Sequence, residues 1–259
     1  MLPVSDLSFH HRLGRVLEHL GDEEFWPRLI AFLRESISFN SWVALIFHTR
    51  QSPYPLGAGD ENIMDEALFS DYLQSFYALD PFYLLSLGAY HPGLHRLDDV
   101  APEYFKKTEY YQRYFKLNVV EDEVQILLPV PPHGTLSLAL GAHKRFSDQE
   151  IGWLLLFLPW LMPVMKAAAR LQIAARNLTP ITGISLEAQL QKRATTPLTE
   201  RETQIVILLL AGHSTKSIAA RLQISPETVK VHRRNLYEKL NVSSQAEVFA
   251  LFMRQLNTD

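Results

Sequence analysis

The pattern of apolar positions near the start of the chain changes from a helical period to that of a strand. In residues 22–37, Phe25, Leu29 and Phe32 recur at helical spacing, which predicts an amphipathic helix. The stretch SWVALIFH at residues 41–48 is rich in β-branched and aromatic side chains, which is typical of a strand. A helix followed by a strand is therefore predicted within the first fifty residues.

Two later apolar stretches predict a hairpin. Residues 122–130 and 135–142 flank the turn sequence PPHG, as expected of two antiparallel strands. Ser147 then begins a long helix, because Glu150 three positions later completes a capping box. Helices around an antiparallel sheet predict an α+β domain over residues 1–176.

The composition changes after this first domain. Residues 177–196 lose the aromatic side chains and are rich in Thr, Ser, Gln and Pro, which predicts an interdomain linker. Residues 197–259 then carry helical patterns only. Thr199 and Glu202 form a second capping box, and Gly212 predicts the end of the helix that they begin.

Three more helix starts follow. Ser214 or the next residue begins a short helix that ends near Leu222. Ser225 is an N-cap for a third helix and has Pro226 at the first helical position, where the missing N–H costs nothing. Residues 244 and 247 open a fourth helix. The segment is predicted to be a small all-α four-helix domain with a tight turn between its second and third helices, as in a helix-turn-helix.

The composition limits where this chain of 259 residues can act. It has no cysteine, which excludes disulfides and Cys-based zinc sites and suits a reducing cytosol. The start of the chain interrupts its apolar positions with charges and histidines, so no signal peptide is predicted. Residues 151–165, IGWLLLFLPWLMPVM, are fewer than the ~20 that span a bilayer and include two prolines. They are predicted to be a buried helix, and the protein is predicted to be cytoplasmic.

The net charge of the whole chain is −3, which by itself does not favour nucleic acid. The charge is unevenly distributed, however. Residues 196–259 hold eight Lys or Arg against six Asp or Glu, a net charge of +2, whereas the first 195 residues carry −5. This mild asymmetry indicates that residues 196–259 are the part of the chain that would bind a polyanion.

The third helix of the C-terminal segment has an unusual outer face. On a helical wheel, Val229 and Leu236 point to the core, while Lys230, Val231 and Arg234 point outward. An ordinary solvated face is the alternative interpretation, but solvent gives no reason for a β-branched apolar residue between two cations. Long cationic donors beside an apolar contact suit base edges or phosphates in a major groove.

The segment LTERETQIVILLLAGHSTKSIAARLQISPETVKVHRRNLYEKLNVSSQAEV resembles the DNA-binding domain of the LuxR/FixJ family of transcriptional regulators. The matching elements are LTERE at 198–202, Gly212, SIA at 217–219, Leu222, IS at 224–225, TVKVH at 228–232 and KL at 239–240. The resemblance spans about fifty residues with the spacing intact. It implies that the third helix is the recognition helix of a helix-turn-helix.

The resemblance also implies roles for individual residues. Lys230, Val231 and Arg234 hold the base-reading positions. Contacts to backbone phosphates, which set register without reading sequence, are expected from Ser225, Thr228, Arg233, Lys239 and Lys216. Arg233 departs from the family, where an apolar residue is usual, so its role is open. The fourth helix is expected to form a homodimer contact through Phe249, Met253 and Leu256, so that two copies span half-sites about 34 Å apart. Packing of this apolar surface within its own subunit is the alternative.

The predicted sensor domain begins with helices, not with the parallel strand and paired acids of a receiver domain, so phosphorelay control is not expected. It resembles the autoinducer-binding or the related GAF/PAS-like domains of LuxR regulators. In DYLQSFYALDPFYLL, residues 71–85, the Asp80–Pro81 pair matches the autoinducer-binding pattern. The positions expected to hold Trp and Tyr are Ala67 and Asp71, with Tyr72 one step out of register. An acyl-homoserine-lactone signal is therefore an alternative effector.

Aromatic and acidic side chains of the predicted sensor domain are candidates for a ligand pocket. They are Trp42, Tyr72, Tyr77, Asp80, Tyr83, Tyr104, Tyr111, Phe115, Asp122 and Glu123. Aromatic walls with one or two buried carboxylates suit a small organic ligand, with an amine-bearing molecule as one candidate. The alternatives are that the rings fill a core while the acids are solvated, and that the domain answers to a partner protein.

Catalysis is not predicted. His91, His95, Asp98 and Asp99 could suggest a metal-dependent enzyme with a DNA-binding tail, but Pro92 and Gly93 break any helix that would align the two histidines. Neither a Gly-rich phosphate loop nor a G-x-S-x-G motif is present in the sequence. The sequence thus predicts a regulator without cofactor or metal. Its predicted partners are double-stranded operator DNA, a small-molecule effector and a second copy; RNA polymerase is a further candidate, and no membrane partner is expected.

Overall fold

A five-stranded antiparallel sheet in the order β2-β1-β5-β4-β3 forms the centre of the N-terminal domain. The computed structural model describes residues 6–49, 51–60, 66–119, 121–176, 191–192 and 194–253, without the side chains of residues 60, 66, 252 and 253. Most of the predicted linker and Leu256 of the predicted dimer contact therefore lie outside the described residues. The strands are β1 Ser41–Phe47, β2 Tyr54–Asp60, β3 Gly93–Arg96, β4 Asp122–Pro129 and β5 Thr135–Ala142.

Helices surround this sheet and continue into the C-terminal domain. Those of the N-terminal domain are α1 Leu7–Leu17, α2 Phe25–Arg34, α3 Glu66–Gln74, α4 Pro81–Ser86, α5 Leu97–Val100, α6 Lys116–Asn118 and α7 Asp148–Ala175. Short 3₁₀ turns lie at Phe76–Leu79 and Phe105–Lys107, and a π-helical turn at Tyr111–Phe115 leads into α6. The C-terminal helices are α8 Glu200–Leu210, α9 Thr215–Leu222, α10 Pro226–Leu240 and α11 Gln245–Met253. The predicted α+β class is confirmed.

The two faces of the sheet bury different chemistry, because successive side chains of a strand point to opposite sides. Val124, Ile126 and Leu128 of β4 join the apolar core under α1, α2 and α7. On the other face, Leu127 of β4 packs with rings from the segment between α3 and α6. Glu123 and Gln125 share that second face by alternation, which places polar groups inside the domain.

Helix α7 is longer than the apolar run that predicts it. It begins at the expected capping box of Ser147 and Glu150 and keeps both prolines within its 28 residues. Its inner side is buried, but Leu155 and Leu156 on its outer side are 53% and 52% exposed, so the prediction of a buried helix holds for one face only. In the described part of the chain, this helix is long and apolar enough to cross a membrane, a criterion that core helices also meet.

The C-terminal domain is the predicted helix-turn-helix. The capping box of Thr199 and Glu202 begins α8, and Ser214 and Ser225 cap α9 and α10. Between α9 and α10 the chain turns at Gln223, whose φ of 54° lies in the left-handed region. Apolar side chains of the three helices form one cluster, namely Ile205, Leu208, Leu209, Ile218, Ala219 and Val229.

The N-terminal and C-terminal domains pack against each other, and we call this the docked arrangement. Gly212, at the end of α8, has a φ of 99° and accepts a hydrogen bond from the backbone N–H of Tyr104 at 3.0 Å. A Cβ atom at this position would lie 2.7 Å from Thr108 Cγ2 and about 3 Å from the backbone of Tyr104 and Phe105. Glycine is therefore required twice, once by the backbone conformation and once by the close approach of the N-terminal domain.

Phe249 of α11 makes the apolar part of the same interface. Its ring stacks on Phe76 with centroids 6.2 Å apart, and the guanidinium of Arg113 lies 5.5 Å from its centroid. Glu103 completes the contact by accepting hydrogen bonds from the hydroxyl and the N–H of Ser214, at 3.0 and 3.4 Å. The predicted dimer residue Phe249 is thus buried against its own chain.

We expect the Gly212→Ala substitution to lower the free energy of unfolding by about 1–3 kcal/mol, because alanine does not tolerate this φ without strain. Gly14→Ala is the control: a Cβ there meets nothing within 4 Å, and alanine in a helix should stabilise by up to about 1 kcal/mol. Urea unfolding followed by circular dichroism measures both. An unchanged midpoint for Gly212→Ala would show that this position does not require glycine.

Candidate nucleic-acid interface and sensor cavity

The local sequence of α10 sets the direction of its outer face. The hydroxyl of Ser225 accepts a hydrogen bond from the N–H of Thr228 at 3.0 Å, and Pro226 follows at the first helical position. Val229 and Leu236 are buried against the rest of the domain. Their spacing turns the opposite side of the helix outward.

That outer side carries the predicted base-reading residues. Val231 is 48% exposed, and Lys230 and Arg234 are exposed beside it. Lys230 Nζ lies 4.0 Å from a carboxylate oxygen of Glu227, a surface pair that contributes little. In the docked arrangement, this face thus presents two cations and an apolar side chain at the surface.

A groove of about 660 Å³ continues from this face toward the start of α11. Lys230, Arg233 and Arg234 line it, together with the carboxylates of Glu238 and Glu247. The three cations outnumber the two acids, and cationic side chains suit a phosphate backbone. Arg233 also borders the cleft between the two domains, so this unusual residue connects both surfaces.

The other predicted phosphate contacts differ in their surroundings. Thr228 shares a hydrogen bond with the cap Ser225 at 2.9 Å, and Lys216 is exposed in the first turn of α9. Lys239 instead donates to Glu202 Oε2 at 2.7 Å and to the carbonyl of Pro197 at 3.2 Å. Within the domain, Lys239 therefore has a structural partner.

The buried carboxylate of Glu202 explains why the side chain of Lys239 points into the domain. Burial acts to raise the pKa of Glu202, but the hydrogen bonds from Lys239 and Thr199 outweigh it and lower the pKa below its ordinary value. A buried carboxylate of this kind requires a cation and donors. The phosphate contact of Lys239 remains a prediction for the complex with DNA.

The cleft between the domains has a volume of about 540 Å³. Tyr104, Thr108, His213 and Phe249 are among the side chains that line it, together with Arg233. Burial and then the charge of Arg221 lower the pKa of His213 to about 4, so this imidazole is neutral at physiological pH. The charged side chains that line the cleft are therefore Arg233, Lys107 and Glu109.

A second, much smaller cavity lies on the polar face of the sheet. Its volume is about 30 Å³, close to that of one water molecule. Its lining side chains are Ser41, Trp42, Val43, Leu45, Phe47, Tyr72, Asp80, Tyr110, Tyr114, Asn118, Val119, Glu123, Gln125, Ser137 and Ala139, with Gly141. Three of these are tyrosines, two are carboxylates, and none is a lysine, arginine or histidine. We call this site the sensor cavity.

Asp80 lies at one side of the sensor cavity and caps α4. It accepts hydrogen bonds from the hydroxyl of Tyr72 at 2.7 Å and from the N–H of Phe82 at 2.8 Å. Burial raises the pKa of Asp80 to about 6, although these hydrogen bonds oppose the shift. The Asp80–Pro81 pair is thus the start of a helix, and Asp80 is also part of a cavity.

Glu123 lies at the other side, on β4. Its carboxylate accepts a hydrogen bond from Gln125 Nε2 at 3.0 Å, and the hydroxyl of Ser137 donates to Gln125 Oε1 at 2.7 Å. Burial raises the pKa of Glu123 well above its ordinary value, and the charge of Asp80 adds to the shift. The two carboxylates therefore oppose each other's ionisation.

The tyrosines of the sensor cavity come from two segments. Tyr72 of α3 stacks on Tyr114 with centroids 4.9 Å apart, and Tyr110 lies 5.6 Å from Tyr114. Burial raises the pKa of each of these phenols, so they stay protonated. The sensor cavity is walled by neutral aromatic donors around two acids.

Four of the predicted ligand candidates reach the sensor cavity: Trp42, Tyr72, Asp80 and Glu123. The indole of Trp42 nevertheless lies against Gly57 and Gly59 and belongs to the core on the other face. Tyr77, Tyr83 and Phe115 are buried near the cavity without lining it, while Tyr104 and Tyr111 lie further out. Asp122 instead accepts hydrogen bonds from the N–H groups of Phe146 and Glu123.

Sequence analysis missed Tyr110, Tyr114 and Gln125. The polar alternation of Glu123 and Gln125 in an otherwise apolar strand could have identified Gln125. The spacing of four between Tyr110 and Tyr114 indicates a shared helical face, but the π-helical turn that orients it has no local sequence pattern.

The suspected histidine cluster is not assembled. His95 Nε2 lies 2.9 Å from the carbonyl oxygen of His91, and the two rings share no acidic partner in the contacts described. In the part of the chain that the structure describes, no group of three His, Cys, Asp or Glu side chains could hold a metal ion.

Comparison with known proteins identifies a family model and a solved structure that match this chain. Residues 196–252 match the model of "Bacterial regulatory proteins, luxR family". The solved VqsR LBD domain of Pseudomonas aeruginosa is 36% identical with a TM-score of 0.59, over 64% of this chain and 99% of that one.

Two curated relatives extend the comparison. UhpA of Salmonella typhimurium, a transcriptional regulatory protein, is 48% identical over 27% of this chain, but only 34% of its own length is covered. A putative HTH-type transcriptional regulator of Aeromonas salmonicida is 33% identical over 58% of this chain and 81% of its own length. The chain therefore belongs to the luxR family of bacterial transcriptional regulators.

Proposed function

We propose that the protein is a cytoplasmic, homodimeric regulator that reads operator DNA through α10. The observation that carries this proposal is the exposed face of Lys230, Val231 and Arg234 on a helix whose opposite side is buried. Cationic donors that flank an apolar side chain match the base acceptors and thymine methyl groups of a major groove. No catalytic step is part of the proposal, since the relatives are transcriptional regulators.

The cations near α10 divide into two roles. Arg234 and Lys230, on the exposed face, would read base edges. Arg233 lines the groove beside that face and would contact phosphates, as would Lys216 and the capped start of α10 at Ser225 and Thr228. Lys239 would act mainly by neutralising Glu202, which holds α8 to the end of α10.

The sensor cavity would control DNA binding through a row of aromatic rings. Tyr72 stacks on Tyr114, Tyr114 lies 5.7 Å from Phe76, and Phe76 stacks on Phe249 of α11. A ligand larger than the 30 Å³ of the cavity would have to displace side chains of its lining, which include Tyr72 and Tyr114. Because the rings are in contact, that movement would loosen the hold on Phe249 and change the population of docked molecules.

The proposed homodimer competes with this docking. The predicted contact on α11 includes Phe249, which the N-terminal domain covers in the docked arrangement. Release of α11 would make its apolar side available to a second copy, as two half-sites require. We therefore propose that the docked form is the form with low DNA affinity.

An acyl-homoserine lactone is the second candidate for the effector. One observation favours it: Tyr72, although one position away from the family pattern, still donates a hydrogen bond to Asp80. The Asp80–Pro81 pair is thus combined with an aromatic hydroxyl, as that pattern expects.

We expect Arg234→Ala to weaken operator binding by about 1–3 kcal/mol and to relax base preference, because it removes a base-reading donor. Arg170→Ala, which removes the same charge from the exposed side of α7, is the control and should leave binding unchanged. Gel shifts on a panel of operator variants measure both. An equal loss on every sequence from Arg234→Ala would argue against direct readout.

We expect the double substitution Glu103→Ala/Arg113→Ala to raise DNA affinity roughly tenfold, because it removes the hydrogen bonds to Ser214 and the cation over Phe249 without changing net charge. Sedimentation velocity should show a larger dimer fraction at the same concentration.

The matched control is Asp98→Ala/Arg145→Ala, which removes a surface ion pair of 3.3 Å and also preserves net charge. It should affect neither measurement. Unchanged or weaker DNA binding by the Glu103/Arg113 variant would show that docking does not restrain the protein.

A further inference from the structure

No cationic side chain of the residues that the structure describes pairs with the two carboxylates of the sensor cavity. Asp80 is 2% exposed and Glu123 is 6% exposed. Among the described residues, their hydrogen-bond donors are neutral: the hydroxyl of Tyr72, the N–H of Phe82 and the amide of Gln125. The cavity lining likewise holds no basic side chain.

Such an arrangement is unfavourable unless something neutralises it. A buried charge is stable only when it is paired and hydrogen-bonded. Elsewhere in this chain the rule is followed, since buried Glu202 has Lys239 at 2.7 Å. In the sensor cavity, hydrogen bonds are supplied but the cation is missing from the described residues. The sensor cavity is thus complementary to a positive charge that its described lining does not supply.

The aromatic walls point to the same ligand chemistry. Tyr72, Tyr110 and Tyr114 surround the acids with π faces and neutral hydroxyls, which attract cations and do not repel them. An anionic ligand would face two carboxylates. A neutral ligand could bond to Asp80, but Glu123 would then have to keep its proton.

We propose that the sensor cavity binds a small organic cation, of the primary or substituted ammonium class, whose charged group lies between Asp80 and Glu123. This inference rests on the proposed function of the cavity as the effector site. The ammonium group would replace a proton held by the two acids, and that proton would leave to solvent. Its organic substituent would displace the tyrosine rings that lead to Phe249.

The proton exchange depends on every titratable group that faces the acids. These are Tyr72 from α3, Tyr110 and Tyr114 from the segment before α6, and Asp122, whose charge adds to that of Glu123 on β4. The tyrosines stay neutral over the physiological range. Only the carboxylates therefore exchange protons with the ligand.

We expect the carboxylates to make the unliganded protein less stable as pH rises. Their pKa values are raised in the folded state, so the folded protein holds more protons than the unfolded chain, and stability falls above the unfolded pKa of about 4. For Asp80 the fall ends near its folded pKa of about 6, whereas for Glu123 it continues to higher pH. Glu123→Gln should flatten the upper part of this decline.

Thermal melts of the full chain between acidic and mildly basic pH measure this effect. Glu121→Gln, which removes an exposed acid two positions away, should follow the wild-type curve. Parallel curves for wild type and Glu123→Gln would show that Glu123 is ionised in the folded protein without cost, contrary to the inference.

The ligand class is tested by isothermal titration of the full chain with alkylammonium chlorides from methyl- to hexylammonium. The alcohols and sodium carboxylates of equal chain length are the comparison. We expect the ammonium ion to bind at least about tenfold more tightly than its alcohol, since one charge pair in a buried site is worth at least that ratio. Titration in buffers of different ionisation enthalpy should show proton release.

The variants identify the residues responsible. Glu123→Gln and Asp80→Asn should reduce the ammonium-to-alcohol ratio toward one, and the asparagine introduced by the second substitution would still be able to cap α4. Glu121→Gln should keep the wild-type ratio. Preferential binding of the alcohol or carboxylate, a ratio unaffected by both cavity variants, or no binding of any ammonium would each overturn the cation proposal.

Operator binding separates this proposal from the proposed function. If an alcohol or carboxylate binds and changes DNA affinity, the cavity is an effector site of another chemical class. If Arg234→Ala weakens operator binding while no ammonium binds, the regulator stands and the ligand class is wrong. A chain that binds no operator while ammonium ions bind normally would remove the regulatory role and keep the cation site.

Discussion

The structure depends on the way one sheet buries two unlike faces. Alternation along β4 sends Val124 and Ile126 into an apolar core and sends Glu123 and Gln125 to the opposite side. The apolar face, covered by α1, α2 and α7, holds the domain together. The other face can then carry two carboxylates whose burial works against folding. The apolar core and the buried polar groups are thus separated onto two sides of the same strands.

The polar face is also the side that reaches the C-terminal domain. Tyr114 takes part in the sensor cavity and contacts Phe76, and Phe76 supports Phe249 of α11. Because the cavity has a volume of only about 30 Å³, the rings around it are closely packed. A change in the volume of the cavity would therefore be transmitted through packed side chains. Val231 on the outer face of α10 stays half exposed, so docking does not cover this face. Under the proposed function, control would act on assembly of the DNA-binding form and leave this face unchanged.

Cations in the C-terminal domain differ in whether a buried acid already pairs with them. Lys239 is occupied by the buried Glu202, whereas Lys230 and Arg234 have no comparable buried acid among the described contacts. Arg233 lies where the groove beside α10 meets the interdomain cleft. Its departure from the family pattern thus coincides with a position that serves two surfaces.

The sequence by itself determined the elements with local causes. Neighbouring residues alone determine the capping boxes at Ser147 and Thr199 and the Ser225–Pro226 start of α10. The helical period of 3.6 residues identifies the outer face of α10. The tertiary structure alone decided which rings surround Asp80 and that Phe249 docks on Phe76, because those contacts join residues far apart in the chain. Lys239 shows the same limit: its charge is evident locally, but its partner Glu202 lies 37 residues away.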